Sequence, residues 1–183
     1  MGMFSGIKDA KANFGSNYER EGQYLMMIRR VKLGQNRGKE WFVAVEKVCL
    51  DMIDPGKEPK PHTVGEQCSH LLCDYGPSKD SFLPNYKAMI MGVMGVTETD
   101  VDEETCDLIT SDEQPLAGMI VQMQNHNIVT KKGTDFTKIR YVRGLSFTEA
   151  AEKIDSAVLE KHLTKEEMDF FLENLALENE DDQ

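Results

Sequence analysis

The sequence predicts a mainly β fold with added α-helices: five strands, one helix between the third and the fourth strand, and further helices near the C-terminal end. Two observations support this fold class. Side chains alternate with a period of two in five segments that are bounded by Gly, Pro, Asn or Asp. Between residues 81 and 96 the apolar spacing changes to three and four, which is typical of a helix. With 183 residues, 40% of them hydrophobic, the chain can form one core and an appendage.

The first three predicted strands are separated by clear turn signals. Residues 23–33 and 40–53 alternate as strands, and the turn between them contains two glycines, which indicates a hairpin. Three prolines within residues 55–61 end the second strand, because proline cannot donate to a strand ladder. A third strand is predicted over residues 63–75.

The remaining elements of the body follow a change of period. Residues 81–96 form the predicted helix, and the acidic segment 98–113 comes after it. Two further strands are predicted over residues 116–129 and 136–145, joined by a tight turn. Five strands with a helix between the third and the fourth is the topology of the OB-fold.

These elements divide the chain into four predicted parts. Residues 1–22 are read as a flexible N-terminal arm, and residues 23–145 as an OB-fold-like barrel. Residues 146–177 are expected to be helical, since two capping-box patterns occur there, each with a glutamate three residues after a Ser or Thr. The acidic end, residues 178–183, is predicted to be disordered.

Charge is segregated along the chain. Residues 146–183 hold 12 acidic and 3 basic residues, whereas residues 1–145 hold 20 and 18. Eight of the acidic residues in the body fall within residues 98–113, which contain no basic residue. A net charge of −11 argues against a protein that coats duplex DNA by charge alone. Because the charge is segregated, a nucleic-acid groove on the body remains compatible with the sequence.

The cysteines and the hydropathy limit the other classes of protein. Four cysteines at irregular spacings, without a secretion signal, are expected to be reduced thiols. Cys68 and Cys73, with His62 and His70 nearby, could suggest a metal site, but buried thiols are the preferred interpretation. The sequence therefore predicts neither a metal nor a cofactor. No run of about 18 apolar residues is present, so no membrane span is predicted.

The last predicted strand is the most informative segment for binding. Alternation places Phe136, Lys138 and Arg140 on the face opposite Ile139 and Tyr141. An aromatic ring beside two cations suits a surface where bases stack and phosphates are neutralised. In OB-folds, the loops between strands one and two and between strands four and five flank the oligonucleotide groove, and both loops here are basic. The predicted nucleic-acid-binding residues are Arg30, Arg37, Lys39, Trp41, Lys131, Lys132, Phe136, Lys138 and Arg140.

The C-terminal segment has its own pattern, an apolar stripe interspersed with acidic residues. Such a stretch can dock on a basic hydrophobic groove of a partner protein. It can also fold back on the cationic face of its own chain, or simply pack on the barrel as a C-terminal helix. The predicted partner-binding residues are Phe170, Phe171, Leu172, Glu173, Asp181 and Asp182.

Several alternatives stay open at this point. The cationic strand face could be an ordinary solvated surface, and Trp41 could be a core or rim anchor. The chain could instead be an interaction protein that acts through its acidic helix. A metal-dependent enzyme would use Asp100, Asp102 and Glu103, but this segment lacks the glycine and the spacing of a calcium loop, so no enzyme is predicted.

Three stretches resemble one known family. They are Phe14-Gly-Ser-Asn-Tyr-Glu-Arg-Glu-Gly-Gln-Tyr24, His62-Thr-Val-Gly65-Glu, and Ser81-Phe-Leu-Pro-Asn-Tyr-Lys-Ala-Met-Ile-Met-Gly-Val. Over residues 14–145 the chain is similar to phage-encoded single-stranded DNA-binding proteins of the OB-fold type, and its acidic end resembles their protein-interaction tails. The resemblance implies sequence-tolerant binding of single-stranded DNA during replication and recombination in the cytoplasm of an infected host, without catalysis. A homodimer is also plausible, because small open barrels have edges that can pair.

Overall fold

A computed structural model describes residues 19–133 and 135–181, without the side chain of Asp181. The fold is mixed α/β, with one five-stranded antiparallel open sheet and five α-helices in the described part of the chain. The predicted arm over residues 1–22 lies, up to residue 18, outside the described residues.

Strands β1 (Gly22–Asn36) and β2 (Glu40–Asp54) form a long hairpin. The two central residues of its turn, Arg37 and Gly38, both have positive φ, at 49° and 71°, as a type I′ turn requires. An irregularity in register at Arg29 places this residue between the pairs that Ile28 and Arg30 make with β2, which is the pattern of a β-bulge.

Strand β3 (Gln67–Cys73) pairs with β2, and strands β4 (Ile120–Val129) and β5 (Asp135–Gly144) continue the sheet on the other side of β1. The strand order is β3-β2-β1-β4-β5, so β3 and β5 are the two edges. All five strands lie where the alternation predicted them. The main difference is a shorter β3, because residues 54–66 hold three prolines and a turn at Gly65.

Helices α1 (Phe82–Met94) and α2 (Glu103–Thr110) cover the inner face of the sheet. Helix α1 packs closely on β5, since a Cβ on Gly92 would lie 2.3 Å from the carbonyl oxygen of Tyr141. Short 3₁₀ turns, Gly76–Ser81 and Glu98–Asp100, precede the two helices. The inner core includes Tyr24, Met26, Ile28, Val43, Val45, Met89, Ile90, Val121 and Met123.

Helices α3 (Phe147–Lys153), α4 (Ser156–His162) and α5 (Lys165–Asp181) cover the opposite, outer face. There Leu159 and Phe171 pack in one cluster with side chains of β1 and β2. The sheet residues of this outer core are Leu25, Met27, Val48, Leu50 and Ile120. Strand β1 is therefore buried on both faces in its first half, which explains its continuous apolar run.

Both predicted N-cap residues cap a helix in the C-terminal layer, and the cap at Thr164 is a complete capping box. The Ser146 hydroxyl accepts a hydrogen bond from the Glu149 backbone N–H at 3.1 Å. At the start of α5, Glu167 N–H donates to Thr164 Oγ1 at 3.2 Å, and Thr164 N–H donates to Glu167 Oε2 at 2.8 Å.

The end of the chain differs from the disorder that its composition predicted for residues 178–183. Helix α5 continues through Asp181, so residues 178–181 are helical. The Glu178 carboxylate accepts hydrogen bonds from the backbone N–H groups of Phe147 at 2.9 Å and Thr148 at 2.8 Å. This contact fixes the last turns of α5 to the start of α3. Within the described residues, no helix is long and apolar enough to cross a membrane.

Candidate nucleic-acid interface

The β4–β5 hairpin brings the predicted aromatic and basic residues of the last strand onto one surface. In its register, Arg140 lies opposite Gln124, Lys138 opposite His126, and Phe136 opposite Ile128. Directly opposed residues of an antiparallel pair share a face of the sheet. Phe136 is 52% exposed and Ile128 is 42% exposed, so the surface offers an apolar site next to cations.

Four cationic side chains of this hairpin are exposed and available to bind a ligand. Lys131 and Lys132 lie in the exposed turn, and Lys138 and Arg140 are exposed on β5. Among the residues that the structure describes, no carboxylate lies within ion-pair distance of any of these four side chains. Arg143, further along β5, differs because it forms a bidentate pair with Glu149 of α3. We name the four free cations together with Phe136 the hairpin surface.

A second group of predicted residues lies at the β1–β2 turn. Arg37 and Lys39 are exposed there, and Trp41 is 42% exposed at the start of β2. The backbone of Trp41 is fixed to Asp74, since Trp41 N–H donates to Asp74 Oδ1 at 2.8 Å and Asp74 N–H donates to the Trp41 carbonyl at 3.1 Å.

The two groups are not adjacent. Strand β4 pairs with residues 22–27 of β1, so its turn with β5 lies beyond the start of β1, whereas the β1–β2 turn lies at the other end. The 15 residues of β1 correspond to about 50 Å of extended chain. Arg30 is exposed in the middle of β1, opposite Glu46.

A groove of about 350 Å³ lies between the two edge strands, β3 and β5. Phe136 and Thr137 line it from β5, Ser69 and His70 line it from β3, and Phe82 lines it from α1. Side chains link the two edges across its floor. The His70 ring stacks on the Tyr141 ring at 5.8 Å between centroids, and His70 Nδ1 lies 3.1 Å from Tyr141 Oη.

Beneath this groove lies a buried ion pair that the sequence reasoning missed. Lys47 Nζ is 2.5 Å from Glu19 Oε1, and both side chains are almost fully buried, at 0% and 2% exposure. Lys47 also donates to Tyr141 Oη at 3.3 Å, and Asn125 Nδ2 donates to Glu19 Oε2 at 3.0 Å. The signal for Lys47 was its place on the inward face of β2, in phase with Val43, Val45 and Cys49.

Burial and the opposite charges set the ionisation of this cluster. Burial by itself would raise the pKa of Glu19, but the Lys47 charge and its hydrogen bond lower it below the ordinary value. Burial would likewise lower the pKa of Lys47, and the Glu19 carboxylate raises it instead. Burial, followed by the Lys47 charge, lowers the pKa of His70 to about 3, so this imidazole is neutral at pH 7. Burial raises the pKa of Tyr141, which remains a neutral phenol.

Glu19, His62 and Cys68 place three potential metal-ligating atoms within 4.8 Å of one another. The surroundings of each of the three residues disfavour binding of a metal cation. His62 Nε2 accepts the Arg20 backbone N–H at 3.0 Å, the Glu19 charge is balanced by Lys47, and burial raises the pKa of the Cys68 thiol. The group therefore fits a hydrogen-bonded core that fixes residues 19 and 20 to the sheet.

The acidic segment after α1 uses its carboxylates as helix caps. Asp100 Oδ2 accepts from the Thr97 N–H at 2.8 Å, and Asp102 Oδ1 accepts from the Thr105 N–H at 2.9 Å. Hydrogen bonds from Thr97 and Thr105 lower the pKa of Asp100 and Asp102, respectively. These contacts give both residues a structural role at the starts of the 3₁₀ turn and α2.

The predicted partner-binding residues of α5 occupy different environments. Phe171 is 2% exposed and packs on Phe147, with ring centroids 5.6 Å apart, so it is a core residue. Phe170 is 39% exposed and also contacts Phe147. Leu172 is 53% exposed, and Glu173 is exposed beside it. The Asp181 side chain and Asp182 lie outside the described part of the chain.

Comparisons of the chain with models of protein families and with curated protein sequences find no match. Of the surfaces described above, the hairpin surface has the clearest chemistry, an exposed aromatic ring among unpaired cations.

Proposed function

We propose that this chain binds single-stranded DNA without strong sequence preference, with the hairpin surface as the primary contact. One observation carries the proposal: half-exposed Phe136 shares a hairpin with four cations that have no acidic partner among the described residues. Stacking of a base on an aromatic side chain contributes about 1–3 kcal/mol and tolerates any base. The cations would neutralise phosphates, and each phosphate contact contributes about −0.7 to the salt slope for single strands.

We further propose that the sheet is of the OB type. The order β3-β2-β1-β4-β5, with α1 between β3 and β4, is the order of a five-stranded OB barrel opened between β3 and β5. The His70–Tyr141 contact supports this assignment, because it links these two edges by side chains. In such a barrel the β1–β2 turn, with Arg37, Lys39 and Trp41, would extend the DNA path beyond the hairpin surface.

The biological setting follows from the resemblance to phage single-stranded DNA-binding proteins. Such a protein would protect single strands and recruit partners during phage DNA replication or recombination in the host cytoplasm. We propose no catalytic role, since Asp100 and Asp102 are used as helix caps.

The test is fluorescence anisotropy of a labelled thymidine oligonucleotide, measured across a series of salt concentrations. Reversing two charges, Lys138→Glu with Arg140→Glu, should weaken binding at least tenfold at low salt, because two phosphate contacts become repulsive. The slope of log affinity against log salt should also become shallower by about 0.7 for each lost contact. Phe136→Ala should weaken binding by about 1–3 kcal/mol with an unchanged salt slope.

The matched control reverses Lys161 and Lys165, which are exposed on the helical layer and carry the same total charge. This control should weaken binding only a few-fold at low salt, through the long-range field of the added negative charge, and less than the hairpin variant does. Equal losses in the two charge-reversed variants would show that only net charge matters and would remove the hairpin surface from the site. Absence of any oligonucleotide binding by the wild-type chain would overturn the proposed function.

A further inference from the structure

The C-terminal helical layer contains an apolar groove that the proposed DNA-binding surface does not use. It lies between α3, α4 and α5 and has a volume of about 380 Å³. Ile154 and Leu159 form its floor, and Met168, Leu172 and Leu175 form the α5 side. Leu172 is 53% exposed, so part of this apolar lining faces solvent.

Carboxylates outnumber cations near the groove. The cations Lys153 and Lys161 adjoin lining residues along the chain. Among four carboxylates, Glu160 lines the groove, and Glu152, Asp169 and Glu173 adjoin lining residues. All four are exposed, and within residues 19–133 and 135–181 none of them forms an ion pair with a described cation. An apolar groove with an acidic rim is complementary to a ligand that combines apolar side chains with positive charge.

We propose that this groove docks an amphipathic helix of a partner protein that presents apolar side chains flanked by lysine or arginine. Helix-in-groove recognition uses a row of apolar side chains at helical spacing, and a groove of this size holds a few of them. Charge complementarity favours a basic partner over a second copy of this chain, because a second copy would bring one acidic rim against another. The proposal is independent of the single-stranded DNA function.

The test uses a synthetic helical peptide of about 18 residues, with leucines at i, i+3, i+4 and i+7 and lysines on the flanking positions. Its affinity for the full chain is measured by isothermal titration calorimetry. Leu172→Glu should weaken binding at least tenfold, because it places a charge in the apolar lining. Leu177→Glu is the matched control, since Leu177 is 55% exposed on the same helix and does not line the groove. It should change the affinity less than twofold.

A second peptide, with glutamate in place of every lysine, should show no binding if the acidic rim selects the partner. Equal weakening by Leu172→Glu and Leu177→Glu would overturn the proposal, because the loss would then not depend on the lining of the groove. Failure of the lysine peptide to bind would also overturn it, as would a dimer detected by light scattering that Leu172→Glu abolishes. Circular dichroism verifies that both variants keep their helices, and an unchanged oligonucleotide affinity separates this groove from the hairpin surface.

Discussion

The ammonium of Lys47 lies in the interior of the sheet and is stabilised there by Glu19. Lys47 comes from the middle of β2, and Glu19 precedes β1, so their contact ties the start of the described chain to the sheet. A buried charge without a partner is strongly destabilising, because the loss of hydration is no longer offset. The pair therefore acts as a single unit in stability, together with the hydrogen bonds from Asn125 and to Tyr141.

Glu19→Gln should lower the free energy of unfolding by about 3–5 kcal/mol, since it leaves the Lys47 charge buried without a counter-charge. Urea denaturation at pH 7 measures this loss. The wild type should also lose stability as the pH falls through the folded-state pKa of Glu19, which lies below 4.5, and this part of the acid sensitivity should disappear in Glu19→Gln.

The control is the double variant Glu19→Leu with Lys47→Met, which removes both charges at similar volume. It should be more stable than Glu19→Gln, because no isolated charge remains in the interior. A double variant less stable than Glu19→Gln would contradict this explanation. The single-variant loss could then not be assigned to an orphaned ammonium.

Strand alternation predicts which face of the sheet a residue occupies, but it does not predict which residue from outside the sheet will contact it. Alternation predicted that Tyr141 faces inward and that Phe136, Lys138 and Arg140 face outward, because it needs only the period of one strand. It could place Lys47 on the inner face of β2. It could not supply Glu19 as its partner, since that contact depends on how residues outside the sheet approach it.

At the scale of elements, one carboxylate near the C-terminal end of α5 binds the N-terminal turn of α3. Glu178, near the end of α5, accepts hydrogen bonds from two backbone N–H groups in the first turn of α3. The first N–H groups of a helix lack partners within the helix and carry partial positive charge, so a carboxylate is favourable there. Both the hydrogen bonds and the local field stabilise the ordered last turns of α5.

Glu178→Ala should reduce the free energy of unfolding by about 1–2 kcal/mol, because two backbone donors in α3 lose their acceptor. Hydrogen exchange followed by mass spectrometry should show faster exchange in residues 147–149 and at the end of α5. Glu180→Ala provides the control, since Glu180 is exposed on the same helix and makes no hydrogen bond or ion pair in the described structure. Equal effects of the two variants would contradict a specific role for the Glu178 contact.

The existence of each element could be predicted because its signal is local. The N-caps at Ser146 and Thr164 are encoded within four residues, and the structure shows the cap hydrogen bond at both, with the complete capping box at Thr164. Within the predicted helical segment 146–177, the chain forms two short helices, α3 and α4, because Asp155 caps α4 through the Ala157 N–H at 2.9 Å. The order of residues 178–181 could not be predicted, since the Glu178 contact joins residues about 30 positions apart.

At the scale of the whole molecule, the acidic helix α5 and the hairpin surface lie over different strands of the sheet. Helix α5 packs on the outer face of β1 and β2 through Phe171, whereas Lys138 and Arg140 lie on β5 at the edge of the sheet. Deleting α5 to test whether it competes with DNA would expose the outer core, so the result would report on folding. Changing exposed charges without removing the helix avoids this problem.

A variant with Asp169→Asn, Glu173→Gln and Glu180→Gln should therefore bind the thymidine oligonucleotide a few-fold more tightly at low salt, because it weakens the negative field around the chain. The gain should shrink as salt rises, since the screening length falls from about 30 Å at 0.01 M to about 10 Å at 0.1 M.

A matched variant with Asp107→Asn, Asp112→Asn and Glu113→Gln removes the same charge from the body and should give a similar gain, because a long-range field depends little on position. Fluorescence anisotropy across the salt series compares the two. A much larger, salt-independent gain in the α5 variant alone would mean that these carboxylates contact the hairpin surface directly, in conflict with the packing of α5 over β1 and β2.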